Sequence, residues 1–373
     1  MNVTSHSRRR QSLIVPHFPT PSRASFPLDA RTDAHVPDMS TTAVADAARA
    51  LADATVAMDA RFSALFRLRS LGTDDAVRAL VERLDRRRER SALMRHEVAF
   101  ALGQMGATGA IDALCETLAD SSEDGMVRHE CAEALGALGA ADARCGEALR
   151  RACADAKREV AETASLALRK LERHGREVSG SARGSAKERA SASVERSGND
   201  DGETPYLSVD PVPAMPTETD FEELRRIVCD DEEEMWNRYG AMFALRNKSY
   251  ASRDASDACA DVLGRVLGES ASALLKHEVC YVLGQLQSAS PGARDALVRC
   301  LEDASEHPMV RHEAAEALGS IAHESTKDYL TKYAKDPEPI IAESCEVALS
   351  IMQQEQEGFI VTAEGQRVDV AAA

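Results

Sequence analysis

Four His-Glu dipeptides stand in one register along the chain: His96-Glu97, His129-Glu130, His277-Glu278 and His312-Glu313. They lie in MRHEVAFALG (94–103), VRHECAEALG (127–136), LKHEVCYVLG (275–284) and VRHEAAEALG (310–319). Imidazole and carboxylate are metal ligands. Their mixture without thiolate suits iron or manganese and leaves positions open for oxygen or substrate. A structural zinc site would more often use cysteine and close its fourth position. One His-Glu dipeptide carries little information. Four of the ten histidines fall in this register, His129 standing 33 positions after His96 and His312 35 after His277, and helix-forming preference alone does not account for that.

The elements that position these residues are short amphipathic helices, with apolar residues three and four apart and turns rich in Asp and Gly. A repeat length in the thirties built from helix pairs reads as a HEAT-type solenoid. The first array spans 41–172. The second, 220–353, repeats it: RYGAMFALRN (238–247) answers RFSALFRLRS (61–70), and KHEVCYVLGQL answers RHEVAFALGQM. The closing units VAETASLAL (160–168) and IAESCEVAL (341–349) place Glu162 and Glu343 where the inner repeats have histidine. The expected fold is therefore an all-α HEAT-repeat α-solenoid of two pseudo-symmetric halves, each of about four helical hairpins, facing one another. Acidic entries supply helix N-termini, and the Leu-Gly positions (Gly103, Gly136, Gly284 and Gly319) supply helix ends or close packing. A basic residue precedes every His-Glu (Arg95, Arg128, Lys276 and Arg311); a solvated helix-start side chain or an ion pair is favoured over a role toward substrate or in screening the carboxylates.

Neighbouring repeat helices lie roughly 8–10 Å apart, so two histidines in register can reach one metal between them. Each half then offers two imidazoles and up to two carboxylates. Halves placed face to face would join two such sets around a cleft, whereas halves laid end to end would hold them too far apart for one O₂.

The remaining segments lack periodicity. Residues 1–40 carry prolines at 16, 19, 21, 27 and 37, and no acidic residue before Asp29 but four arginines, which fits a disordered tail or an organelle transit peptide, the tail being favoured. Residues 173–219 are rich in Ser, Gly and charge and read as a flexible linker; residues 354–373 read as a C-terminal tail.

Forty-five Lys and Arg against 62 Asp and Glu leave a net charge of −17, which argues against nucleic acid and anionic membrane surfaces and favours a basic protein partner. No apolar run approaches the roughly 18 residues of a membrane span. The nine cysteines form no CxxC pair and most sit in apolar helical patterns, so they read as free thiols of a cytoplasmic, reducing compartment. No P-loop, GxGxxG, GxSxG or EF-hand loop is present. From the residues alone three readings stand: an oxygen-activating metalloenzyme, a metal-dependent hydrolase with zinc or manganese, and a non-catalytic scaffold whose histidines line a binding face.

The paired His-Glu motifs, RYGAMFALRN and the repeated HEVxxxLGQ resemble the deoxyhypusine hydroxylase family of HEAT-repeat di-iron monooxygenases, over about 57–172 and 235–353. The resemblance implies two Fe²⁺ per chain, molecular oxygen, and hydroxylation of the deoxyhypusine side chain of eukaryotic translation initiation factor 5A to hypusine; a monomer is expected. Carried onto matching positions, it assigns one iron to His96, His129 and Glu130 and the other to His277, His312 and Glu313. Glu97 and Glu278 would then face the amines of the substrate, with additional metal contact open to them.

Overall fold

The computed structural model describes residues 39–139, 142–181, 206, 208–357, 359–361 and 367–369. Sixteen helices follow one another among these residues. The first half pairs α1 (Met39–Ala52) with α2 (Met58–Leu71), α3 (Asp74–Leu84) with α4 (Ala92–Gln104), α5 (Ile111–Ala119) with α6 (Gly125–Leu138) and α7 (Ala143–Ala152) with α8 (Arg158–Ser181). The second pairs α9 (Phe221–Cys229) with α10 (Met235–Ser249), α11 (Arg253–Glu269) with α12 (Ala273–Leu286), α13 (Pro291–Glu302) with α14 (Pro308–Ile321) and α15 (Lys327–Tyr333) with α16 (Pro339–Glu357). This is the expected HEAT-repeat α-solenoid, four hairpins to each half.

Sequence pattern separates the two layers. Outer helices bury one stripe: in α7 this is Cys145, Ala148, Leu149 and Ala152, with arginines on the opposite face. Inner helices α4, α6, α12 and α14 are buried nearly all round, including most of their charged residues, with Lys276 and Glu133 half-buried. Their N-termini are capped by Ser91, Asp124, Ser272 and His307, each side chain accepting a backbone N–H of the first turn. Only one of these four caps is acidic.

The four Leu-Gly glycines lie inside the inner helices, and packing explains them. A Cβ would sit 2.9 Å from the Ala134 Cα at Gly103, 2.7 Å from the Ala167 Cβ at Gly136 and 2.6 Å from the Ala348 carbonyl oxygen at Gly319; at Gly284 the nearest atom, the Ala317 Cα, is 3.3 Å away. Helices α4, α6 and α8, and likewise α12, α14 and α16, therefore stack at backbone contact distance. The basic residues before each His-Glu are ion-paired to the following repeat: Arg95 to Glu123 at 2.6 Å, Arg128 to Asp155, Lys276 to Glu306 at 2.7 Å and Arg311 to Asp336 at 2.7 Å.

The halves meet at both ends. The last helix of the first half, α8, packs on α10 and α12, and the last helix of the second, α16, packs on α2 and α4. The inner helices of the two halves thus face one another. Helix α8 runs on to Ser181, and Tyr206, Pro211 and Val212 are buried, so the stretch 173–219 begins in a helix and ends in a packed strap. The reason is composition: the Ser/Gly run gives way at Tyr206 to a segment with enough apolar surface to dock. Residues 182–205 and 207 lie outside the described residues, as do 1–38. Beyond α16, strand β1 (Phe359–Val361) pairs antiparallel with β2 (Arg367–Asp369), a two-stranded ribbon within the segment read as a tail.

Candidate metal centre

The inner helices bring all eight His-Glu residues to one place. His96 comes from α4, His129 from α6, His277 from α12 and His312 from α14, and each is at most 6% exposed. Neighbouring ring centroids are 5.5 Å apart for His96–His129, 5.2 Å for His129–His277, 5.3 Å for His277–His312 and 5.2 Å for His312–His96. His96 and His277 face each other across 5.9 Å. Within a half the rings are tilted by 40° and 37°; between halves they stand at 76° to 84°. The duplication seen in the sequence is therefore a pseudo-twofold arrangement around the centre.

Carboxylates follow the same symmetry. Glu130 Oε2 lies 3.5 Å from His96 Nε2, and Glu313 Oε2 lies 3.5 Å from His277 Nε2. Glu97 Oε1 is 3.1 Å from His96 Nδ1. Coordinating atoms of His96, His129 and Glu130 all fall within 4.8 Å of one another, and so do those of His96, His277 and His312. His96 therefore reaches both halves of the centre.

Electrostatics identify what such a cluster needs. Nε2 of His96 and both ring nitrogens of His129, His277 and His312 are buried with no hydrogen-bond partner among the described residues. Each buried polar atom without a partner costs about 1–3 kcal/mol. Burial pushes the His96 imidazole down to about 4 and those of His129, His277 and His312 well below their ordinary value. It also pushes the Glu97 carboxyl up to about 8 and raises Glu130, Glu278 and Glu313 strongly. Neutral imidazoles are the ligating form, and a divalent cation would supply both the missing partner and the counter-charge for the carboxylates. The donor set fits a metal centre of nitrogen and oxygen ligands.

A pocket opens onto this cluster, lined by Glu97, Glu130, Glu278 and Glu313, by His96 and His277, and by Phe100 and Tyr281. The two aromatic rings meet edge to face at 6.1 Å. Sequence reasoning missed three further features of the wall. Phe100 and Tyr281 lie four residues after His96 and His277, and Glu133 lies four after His129, so helical spacing would have found them. The strap Ser208–Pro211 had no periodic signal. It is held by Val209 N donating to Gln104 Oε1 at 2.8 Å and by Asp210 accepting two hydrogen bonds from Arg246, at 2.8 and 2.5 Å.

Fold and site together define a HEAT-repeat protein with a buried histidine–carboxylate centre between two duplicated halves. Comparison with known proteins narrows that class. The HEAT-repeat family pattern matches residues 77–169 and 260–350. The chain is 45% identical over 310 residues to rice deoxyhypusine hydroxylase-B, covering 83% of this chain and 92% of that one. It is 40% identical over 307 residues to human deoxyhypusine hydroxylase, covering 82% and 89%. The solved structure of the human enzyme in complex with glycerol superposes with a TM-score of 0.71 at 39% identity, covering 85% of this chain and 98% of that one. The chain belongs to the deoxyhypusine hydroxylase family, enzymes of the monooxygenase class.

Proposed function

We propose that this protein hydroxylates the deoxyhypusine side chain of eukaryotic translation initiation factor 5A, using two iron ions and molecular oxygen. The observation that carries the reading is the set of buried, partnerless imidazole nitrogens at the junction of the two halves. A scaffold has no use for that arrangement, which is destabilising until a metal binds. The metal-dependent hydrolase is not favoured, because the relatives bear the name of a hydroxylase.

One iron would be held by His96, His129 and Glu130, the other by His277, His312 and Glu313. The matching 3.5 Å approaches of Glu130 to His96 and Glu313 to His277 support that division. When bound, the pair of irons would supply the redox chemistry that activates oxygen and oxidises a C–H bond. The residues of the chain do the rest. Glu97 and Glu278 line the pocket and would pair with the cationic amines of the substrate. A cation beside Glu97 favours its ionised form, so the proton held there by burial leaves as the substrate binds. Phe100 and Tyr281 wall the pocket and exclude water. The net charge of −17 steers a basic substrate protein toward the cleft. The reading extends to a cytoplasmic monomer; among the described residues no helix is long and apolar enough to cross a membrane.

The test is hydroxylation of deoxyhypusine-bearing factor 5A by iron-loaded protein. His129→Ala is expected to lose iron and activity together; full activity with one metal set missing contradicts the reading.

A further inference from the structure

The repeat register that carries histidine in the four inner helices carries Glu162 in α8 and Glu343 in α16. These two carboxylates point across to the other half. Glu343 Oε2 accepts a hydrogen bond from Ser91 Oγ at 2.6 Å, and Glu162 Oε2 accepts one from Ser272 Oγ at 3.1 Å. Ser91 and Ser272 are the N-caps of α4 and α12, the first His-Glu helix of each half. Their hydroxyl oxygens accept the N–H of Met94 at 3.0 Å and of Leu275 at 3.2 Å. Each serine therefore uses its lone pair on its own helix and its single proton on the opposite half.

The partners are 252 and 110 residues apart in sequence, yet the two contacts are related by the same pseudo-twofold as the metal centre. One of the two carboxylates and the serine opposite the other have a further anchor. Glu162 Oε1 takes Arg158 Nε at 2.7 Å, and the Ser91 backbone N–H that flanks the other contact donates to Glu89 Oε1 at 3.0 Å. His96 and His277 follow their caps by five residues, about 7.5 Å along a helix axis. A shift at the cap is thus passed along a rigid element to the imidazole.

We propose that Glu162 and Glu343 are positioning residues: by latching each half onto the N-cap of the other half's first His-Glu helix, they set the separation between the two metal-binding sets. The proposal rests on the reading of the centre as two metal sets, but the contacts themselves can be tested without metal. In the Glu162→Ala/Glu343→Ala double variant each half keeps its own His-Glu residues and its serine caps. Iron content and KM are expected to stay within about twofold of wild type, while kcat falls about tenfold or more, since small misplacements at a reacting centre carry that cost. The Gln/Gln variant, whose amide oxygen still accepts from serine, is expected to retain most of kcat. In metal-free protein, hydrogen exchange at the first turns of α4 and α12 should accelerate in the alanine variant. If the double variant does not fold, the single variants decide: Glu343→Ala should loosen α4 alone and Glu162→Ala α12 alone. Wild-type kcat with wild-type exchange in the alanine variant overturns the proposal, as does a glutamine variant as impaired as the alanine one. Should wild-type protein bind no iron, the two-metal reading fails, while the exchange experiment still reports on the latches.

Discussion

Replacing His129 by leucine should stabilise the metal-free protein while it destroys metal binding at the set that His129 serves. His129 is fully buried, and neither ring nitrogen has a hydrogen-bond partner among the described residues. Each such nitrogen costs about 1–3 kcal/mol, and leucine removes both penalties at similar volume. A fully buried leucine contributes about 1.5–3 kcal/mol by transfer, offset by up to about 1.5 kcal/mol for imperfect shape. A conservative net gain is about 1–3 kcal/mol, or about 2–6 °C in Tm at roughly 2 °C per kcal/mol for a chain of this size. Iron should invert the order. At a free metal concentration about 1,000 times Kd the wild type gains about 4.1 kcal/mol per site, more than the leucine gain, and the variant loses it at the site His129 serves. The assay is thermal unfolding with and without chelator. A metal-free leucine variant destabilised by more than about 1 kcal/mol would refute the reasoning, because the imidazole nitrogens would then have to be satisfied.

Three further outcomes follow from the same structure. Glu97 is raised to about 8, mainly by burial, so the metal-free folded state holds a proton that the unfolded chain has lost above its ordinary value near 4.5. That contribution is complete below about 4.5 and fades as pH rises through about 8; the depressed histidines act below about 6.5, so denaturant unfolding of metal-free protein should show stability falling between pH 6.5 and 8. Gly319→Ala, whose Cβ would stand 2.6 Å from a backbone oxygen, should cost about 1–3 kcal/mol, and Gly284→Ala, with 3.3 Å of room, clearly less in the same urea titration. Asp210→Ala leaves the Arg246 guanidinium, 1% exposed, without its carboxylate. Breaking a buried pair costs about 3–5 kcal/mol, a loss that release of the strap can cap, so the Val209 amide should exchange faster at little cost to global stability.

Much of this architecture was legible because a repeat announces itself several times over. The eight His-Glu residues, the hairpin count and the duplication all follow from matching short strings, and the structure places every one of those side chains at a single centre. Other residues were ambiguous for identifiable physical reasons. A glycine after leucine reads equally as a helix end or a packing contact; only the neighbouring alanine backbones at 2.6–3.3 Å decide it. The strap at Ser208–Pro211 has no period because it adds neither helix nor strand. It is held by side chains from Gln104 and Arg246, which local pattern cannot foresee. Glu162 and Glu343 were visible as departures from the histidine register, yet their partners lie in the opposite half.

The most direct test of the central claim is to count metal in anaerobically purified protein and assay the same sample on deoxyhypusine-bearing factor 5A after admitting oxygen. The account predicts two iron ions per chain, oxygen-dependent hydroxylation, and loss of one iron together with the activity in His129→Ala. A protein that hydroxylates with no iron, or that binds two irons and leaves the substrate untouched, would contradict it.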